Sequence, residues 1–384
     1  MPLSGSRPAK PRSSNTGGGP QPDLPRSSAL SGCIVAVDDN DAAYEAWDAS
    51  IRQDYPSAFR KIRVQHNGAL EAPDSDLVLV TASVTFSGEP IVVWASAPDR
   101  AAMFGRHGPD ANPARLNPNA ASTFGGSWAS IRTDRDVRLV VTVAGSTTEL
   151  RGLMPAYAHA QRYQDGRILL VGSRAGQPVG GSDQNALVFS SQGELLERAP
   201  VSDGVEHAYL DGEDRLWVGY SDEGVYGASS VGIVRFDQHL ALDWTFPVTT
   251  LSDPNAPPFI DDCYTLNVAD HAVWSSYYGD WPIVRIVADC AELVGWGNHA
   301  AYQILVDEPR VALVGYYGAP DLVRVGELPT QDWNPAMRGV LVDPSGDPLP
   351  GAGWRHARGS DLHLFIGTEW FSVSLDSIRT QIGD

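Results

Sequence analysis

Two histidines, His159 and His207, each stand eight residues ahead of an equivalent arginine, Arg167 and Arg215. That spacing places both at the opening of a short apolar run. Carboxylates gather at matching places: Glu206 beside His207, then Asp222, Glu223, Asp261, Asp262 and Asp280. Imidazoles and carboxylates converging from several segments can ligate a divalent cation or hold a general base over a substrate. In that chemistry His159 and His207 are the metal ligands. His207, Glu206 and Asp222 are the catalytic candidates, with Glu206 or Asp222 as the base. A second chemistry uses neighbouring positions for recognition alone, with Asp222, Glu223, Tyr264, Asp280 and Tyr302 as ligand-binding side chains.

Each residue also has a plainer reading. A histidine opening an inner strand can hydrogen-bond a neighbouring backbone and do nothing else, and packing carries the greater weight for His159 and His207. Asp261-Asp262 suits a turn ahead of a strand. Asp222 and Glu223 interrupt an apolar pattern in Ser221-Asp-Glu-Gly-Val-Tyr226 without a packing reason, so the two readings balance there. Several strong signatures are missing from the chain: Gly-x-Ser-x-Gly, His-Glu-x-x-His, the Gly-x4-Gly-Lys phosphate loop and Cys-x-x-Cys. Gly351-Ala-Gly353 opens like a dinucleotide fingerprint, but His356 occupies the place of its third glycine.

The elements that must position these residues are short paired strands. Runs 158–163 and 167–172 flank Gln164-Asp-Gly166, and 206–210 and 215–220 flank Asp211-Gly-Glu-Asp214. The same form recurs at 263–268 with 272–277, 301–306 with 310–316 and 354–358 with 362–367. Two looser pairs lie upstream, 60–66 with 77–84 and 129–133 with 137–143. These are hairpin signals. Trp274–Ile286 also aligns without gaps on Leu313–Val325, an offset of 39 residues, matching Tyr277 with Tyr316, Gly279 with Gly318 and Arg285 with Arg324. A looser third copy carries Arg235.

That period is one four-stranded blade, and the expected fold is all-β, a β-propeller of about seven blades, with six as the alternative. Blades apolar on both faces hide them only by stacking around an axis. The one-to-two turns are tight, whereas the two-to-three loops (173–184, 221–231) are long. Function is therefore expected on the loop-rich rim of the central channel. Arg235, Arg285 and Arg324 fall on third strands, away from the channel, where interblade ion pairs or stem packing account for them.

Residues 1–28 are rich in Pro, Ser and Gly and read as a disordered tail, leaving 29–384 as a single propeller domain. Asp41–Tyr55 carries Tyr44, Trp47 and Ile51 at helical spacing and predicts a short N-terminal helix. The last copy lacks a fourth strand, which Ile34–Val37 can supply as a latch.

The net charge is −19. Residues 1–28 hold four basic residues and one acid, so the remainder carries 24 basic against 46 acidic residues. So acidic a body repels phosphate backbones and argues against nucleic acid as a partner, while a divalent cation or a basic partner stays compatible. Three cysteines (Cys33, Cys263, Cys290) make no disulfide framework. No stretch reaches the length of a membrane span. Leu30-Ser-Gly-Cys33 has no hydrophobic segment before it to act as a lipoprotein signal, so a cytoplasmic location is expected.

Arg215-Leu-Trp-Val-Gly-Tyr-Ser-Asp-Glu-Gly-Val-Tyr226, Gly232-Ile-Val-Arg-Phe-Asp237, Asp261-Asp-Cys-Tyr-Thr-Leu-Asn267 and Tyr277–Arg285 together resemble a group of uncharacterised bacterial β-propeller proteins. Those proteins look like relatives of the propellers of two-component sensor ectodomains. The resemblance spans roughly residues 157–370, and Ser221–Tyr226 with Asp262-Cys-Tyr264 are its most specific pieces. It implies a propeller and no particular activity, catalytic residue or cofactor. Two functions follow: a propeller that binds a small molecule or protein at the loop-rich channel face, or a metal-assisted hydrolase or lyase at the same mouth.

Overall fold

A computed structural model describes residues 59–104, 133, 135–175, 183–227, 229, 231–247, 256–279, 281–297, 299–329, 337–350 and 353–383. The expected tail, the helix at Asp41–Tyr55, the strand at Ile34–Val37, residues 129–132 and Asp280 lie outside them.

Two strands open the described chain, β1 (Arg60–Arg63) and β2 (Gln65–Ala69). Blade one follows as β3 (Leu77–Val84), β4 (Pro90–Ser96), β5 (Val137–Val143) and β6 (Ser146–Gly152). Blade two is β7 (Ala158–Arg162), β8 (Ile168–Gly172), β9 (Ala186–Phe189) and β10 (Leu195–Ala199). Blade three is β11 (Val205–Leu210), β12 (Leu216–Tyr220), β13 (Ile233–Phe236) and β14 (Leu242–Thr245). In blade four, β15 (Asn267–Val268) and β16 (Val273–Ser276) precede β17 (Pro282–Val287) and β18 (Cys290–Trp296). Blade five runs β19 (Gln303–Asp307), β20 (Arg310–Val314), β21 (Leu322–Glu327), β22 (Met337–Val342). The last, blade six, contributes β23 (Trp354–Arg358), β24 (Asp361–Ile366) and β25 (Glu369–Ser374).

Each blade is an antiparallel meander, and the reason they stack is visible in the second strands. Ile168–Gly172 and Leu216–Tyr220 are buried along their whole length. Alternate residues face opposite neighbours, as the two-residue period of a strand requires. Ile168 and Leu170 pack with blade one, while Leu169 and Val171 pack with blade three. Among the described residues a separate apolar cluster fills every junction from blades one–two round to blades six–one. The ring is therefore closed, with six blades.

The seventh expected blade dissolves into two neighbours. Residues 60–66 do not pair with 77–84; β3 pairs with β4, and β1 and β2 leave for the far end of the chain. A long excursion between β4 and β5, beginning with helix α1 (Ala97–Met103), separates the halves of blade one and hides its repeat spacing. The missing fourth strand of blade six is real, but β2 supplies it, antiparallel to β25, in the position assigned to Ile34–Val37. β1 adds a fifth, parallel strand to blade five beside β22. Ile62 is wholly buried between them and the C-terminal helix α3 (Leu375–Ile382), whose Leu375, Ile378 and Ile382 face the same cluster.

Candidate functional site

The inner strands all run from the loop-rich rim toward the tight turns, so residues two or three positions before their ends form a common layer. At the ends themselves a polar floor crosses the channel. Arg358 closes β23 and donates to Leu210 O of blade three (3.0 Å), Val84 O of blade one (3.3 Å) and Gln161 Oε1 of blade two (2.8 Å). Gln161 Nε2 donates in turn to Ser83 Oγ and Val84 O. Asn267 spans the other half, donating to Ile304 O (2.7 Å) and Gly359 O (2.8 Å) and accepting from Gly359 N (2.8 Å). No carboxylate pairs with Arg358 in these bonds. Its charge is met by carbonyls, and burial lowers its guanidinium to about 10. Arg358→Ala strands those acceptors and opens a void at the hub, so it is expected to cost about 3 kcal/mol, read as a lower urea midpoint.

One layer above, His356 Nε2 donates to Ala82 O (2.9 Å), which leaves Nδ1 to accept from the Tyr209 hydroxyl (2.9 Å). Burial holds this imidazole neutral, down to about 3. His159 Nε2 meets Ser173 Oγ at 2.9 Å and lies 3.4 Å from Val205 O. His207 is 8% exposed and its Nε2 has no hydrogen-bond partner. Burial depresses both to about 4. Among the described residues no group of three or more His, Cys, Asp or Glu is arranged to hold a metal ion.

The mouth above is built by blades two to five. A β-bulge between Val205 and His207 leaves Glu206 without a cross-strand partner, at the start of the inner strand of blade three. Glu206 keeps solvent contact, yet the surrounding walls raise its carboxyl by burial, with Asp222 adding and Arg174 opposing. Asp262 is pushed up to about 8, first by burial and then by the charges of Glu206 and Asp222. Asp222 and Glu223 open a single helical turn, α2 (Asp222–Val225). There Asp222 stays exposed, while Glu223 pairs with Arg174. Of the acids at the strand mouths, Glu206 and Asp222 lie close enough for their charges to act on Asp262. Glu223 belongs to an ion-pair network with Arg174 and Asp203 instead.

Next to the acids stands an aromatic wall centred on Tyr264. Its hydroxyl shares a 2.5 Å hydrogen bond with that of Tyr317. Tyr302 lies parallel to it at 6.4 Å between centroids, Tyr278 does the same from the other blade edge, and Trp281 stands edge-on at 5.0 Å. Tyr278 is 52% exposed. Between Asp262 and Tyr264, Cys263 is fully buried in the blade three–four core, donating toward Thr265 O, and is no nucleophile. Sequence reading named Tyr264 and Tyr302 but missed Tyr317, Tyr278 and Trp281, although the Tyr-Tyr-Gly repeat carried two of them. It also missed Gln161, Asn267 and Arg358, polar residues ending otherwise apolar inner strands.

The third-strand arginines behave as expected in two blades. Arg235 pairs with Asp243 (2.8 Å) and with Asp289 of the next blade (2.6 Å) over the Trp217 ring. Arg285 pairs with Glu292 (2.8 Å) and with Glu308 of the next blade (2.9 Å) over Trp274. Among the described residues Arg324 has no such pair.

Residues 233–302, from the third strand of blade three through blade four, match the YxzG family. That stretch contains Asp262 and Tyr264. No curated protein matches the chain. Among solved structures it is similar to Kluyvelomyces marxianus Hsv2, at 9% identity over 75% of this chain and 72% of that one, with a TM-score of 0.38. It is also similar to a gluconolactonase from Xanthomonas campestris, at 9% identity over 80% of this chain and 98% of that one, with a TM-score of 0.36. Apo AztD from Citrobacter koseri is similar at 11% identity over 63% and 65%, with a TM-score of 0.34.

Proposed function

We propose that this propeller binds a small organic cation, an alkylammonium-type ligand, in the mouth of its channel. The observation that carries this reading is the aromatic wall around Tyr264 beside Asp262, a carboxyl on which the charges of Glu206 and Asp222 also act. Cations bind well against aromatic faces, gaining about 0.5–2 kcal/mol per good contact, and a nearby carboxylate supplies the long-range attraction. The polar floor at Arg358 gives the mouth a bottom, so a ligand would enter and leave by the loop-rich rim.

A titration of the protein with tetramethylammonium by calorimetry tests this. At about pH 9, above the value of about 8 to which Asp262 is raised, Tyr264→Ala and Asp262→Asn are each expected to weaken binding at least tenfold, about 1.4 kcal/mol. Affinity is expected to rise as the pH passes upward through about 8, because Asp262 becomes charged there. Equal binding by all three proteins contradicts the reading. A second reading, acid–base catalysis at the same mouth, is favoured by Asp262, whose carboxyl is pushed up to about 8 by burial and by the charges of Glu206 and Asp222.

A further inference from the structure

Arg324 breaks the pattern set by Arg235 and Arg285. All three occupy the same register on the third strand of consecutive blades, cross-paired with Trp217, Trp274 and Leu313 respectively. The first two each carry two carboxylates, one from the fourth strand of their own blade and one from a turn of the next. On the fourth strand beside Arg324, the partner position is held by another cation, Arg338. The tryptophan platform is gone as well. Yet Arg324 is the most deeply buried of the three, at 1% exposure.

Its guanidinium is only partly satisfied. Nη2 donates to Ala300 O (2.5 Å) and Gly315 O (3.4 Å). Nε and Nη1 have no hydrogen-bond partner, so the larger share of its donors is unused. Burial and the neighbouring Arg338 both work against the charge, lowering it to about 10, with the Tyr316 hydroxyl opposing. A buried cation with idle donors and a like charge beside it is costly unless something negative joins it. The whole chain carries −19, so a locally uncompensated positive site is out of character with its surroundings.

We propose that Arg324 is the centre of a buried anion site that takes a small oxyanion, a carboxylate or phosphate group. The idle Nε and Nη1 donors would hold its oxygens, and Arg338, exposed on the adjoining strand, marks the solvent side. Guanidinium is the side chain whose planar donor set matches those groups. The bound anion would then fill the role that Asp289 and Glu308 fill for the other two arginines.

The test is a calorimetric and thermal-melt titration of the full chain with acetate and with inorganic phosphate at constant ionic strength. Wild type is expected to bind one anion per chain with a saturable rise in Tm. Arg324→Met, checked for cooperative unfolding, is expected to bind at least tenfold more weakly. Failure of both anions to bind wild type, or equal binding by Arg324→Met, overturns the proposal. Asp332 lies among residues 330–336, outside the described ones, and binding that emerges only in Asp332→Asn would show that the protein supplies its own counter-charge, which likewise overturns it. A wild-type crystal soaked in bromide decides the matter without any variant: an ion beside Nε or Nη1 supports the site, and none there contradicts it.

Discussion

A chain shortened to begin at Leu70 is expected to lose cooperative unfolding altogether, by circular dichroism, at temperatures where the full chain is folded. The shortening removes β1 and β2 together. β2 completes blade six against β25, and β1 covers β22 of blade five, so two neighbouring blades lose an edge at once. Ile62 and Val64, both essentially unexposed, go with them. Their burial is worth about 1.5–3 kcal/mol each, and each lost ladder bond adds about 1 kcal/mol. The total is on the order of 10 kcal/mol, comparable with the whole stability of a typical domain. The single change Ile62→Asp in the full chain places a charge in the same cluster and is expected to cost several kcal/mol. A shortened chain that still melts cooperatively near the parent Tm would mean that the ring closes without these strands.

Acid is expected to destabilise the fold steeply below about pH 6.5. Burial depresses His159, His207, His299 and His363 to about 4 and His356 to about 3. All five are neutral in the native state at pH 7, while the unfolded chain takes up their protons at the ordinary value. Between the two values the unfolded state holds more protons, so each histidine adds a slope of about 1.4 kcal/mol per pH unit favouring unfolding as the pH drops. Their stabilising contribution is complete above about 6.5 and is lost on the way down to about 4. Asp262 and Glu206 have the opposite sign, because raised carboxyls give the native state the extra proton. The Asp262 contribution therefore declines as the pH climbs to about 8. The five histidines outweigh the raised carboxyls, and stability is expected to peak near neutrality in urea titrations from about pH 4 to about 8.5. A flat profile between pH 4 and 6.5 would contradict the neutral, buried state of these imidazoles.

The five downstream hairpins were legible because local pattern and global fold agree there: a period-two apolar run, a tight polar turn, and a second run. The upstream end was not, for two physical reasons. β1 and β2 make no contact pattern with their sequence neighbours; their partners lie some three hundred positions away, and nothing local in Arg60–Ala69 announces that. The excursion after β4 also cuts blade one in half. Helix α3 does carry a local signal, Leu375, Ile378 and Ile382 at spacings of three and four.

Of the site, the residue types were visible and their grouping was only partly so. Glu206, Asp222 and Asp262 fell at strand mouths in the repeat alignment, and the charges of the first two act on Asp262. That Glu206 lacks a cross-strand partner depends on a one-residue bulge that no sequence period encodes. The floor made by Arg358, Gln161 and Asn267 depends on bonds across the axis, between blades that are not neighbours in sequence. The aromatic wall depends on Tyr264 meeting Tyr317 from the following blade. Arg324 is the reverse case: its repeat position was plain, and only the structure reveals that no carboxylate among the described residues pairs with it.

A crystal of the protein soaked in tetramethylammonium, or in a heavier ammonium analogue visible by its anomalous signal, puts the channel mouth to the sharpest trial. Density is expected against the Tyr264 ring, within reach of the Asp262 and Glu206 carboxyls. An empty mouth under conditions where the cation binds in solution, or density bound elsewhere on the ring, would contradict the account.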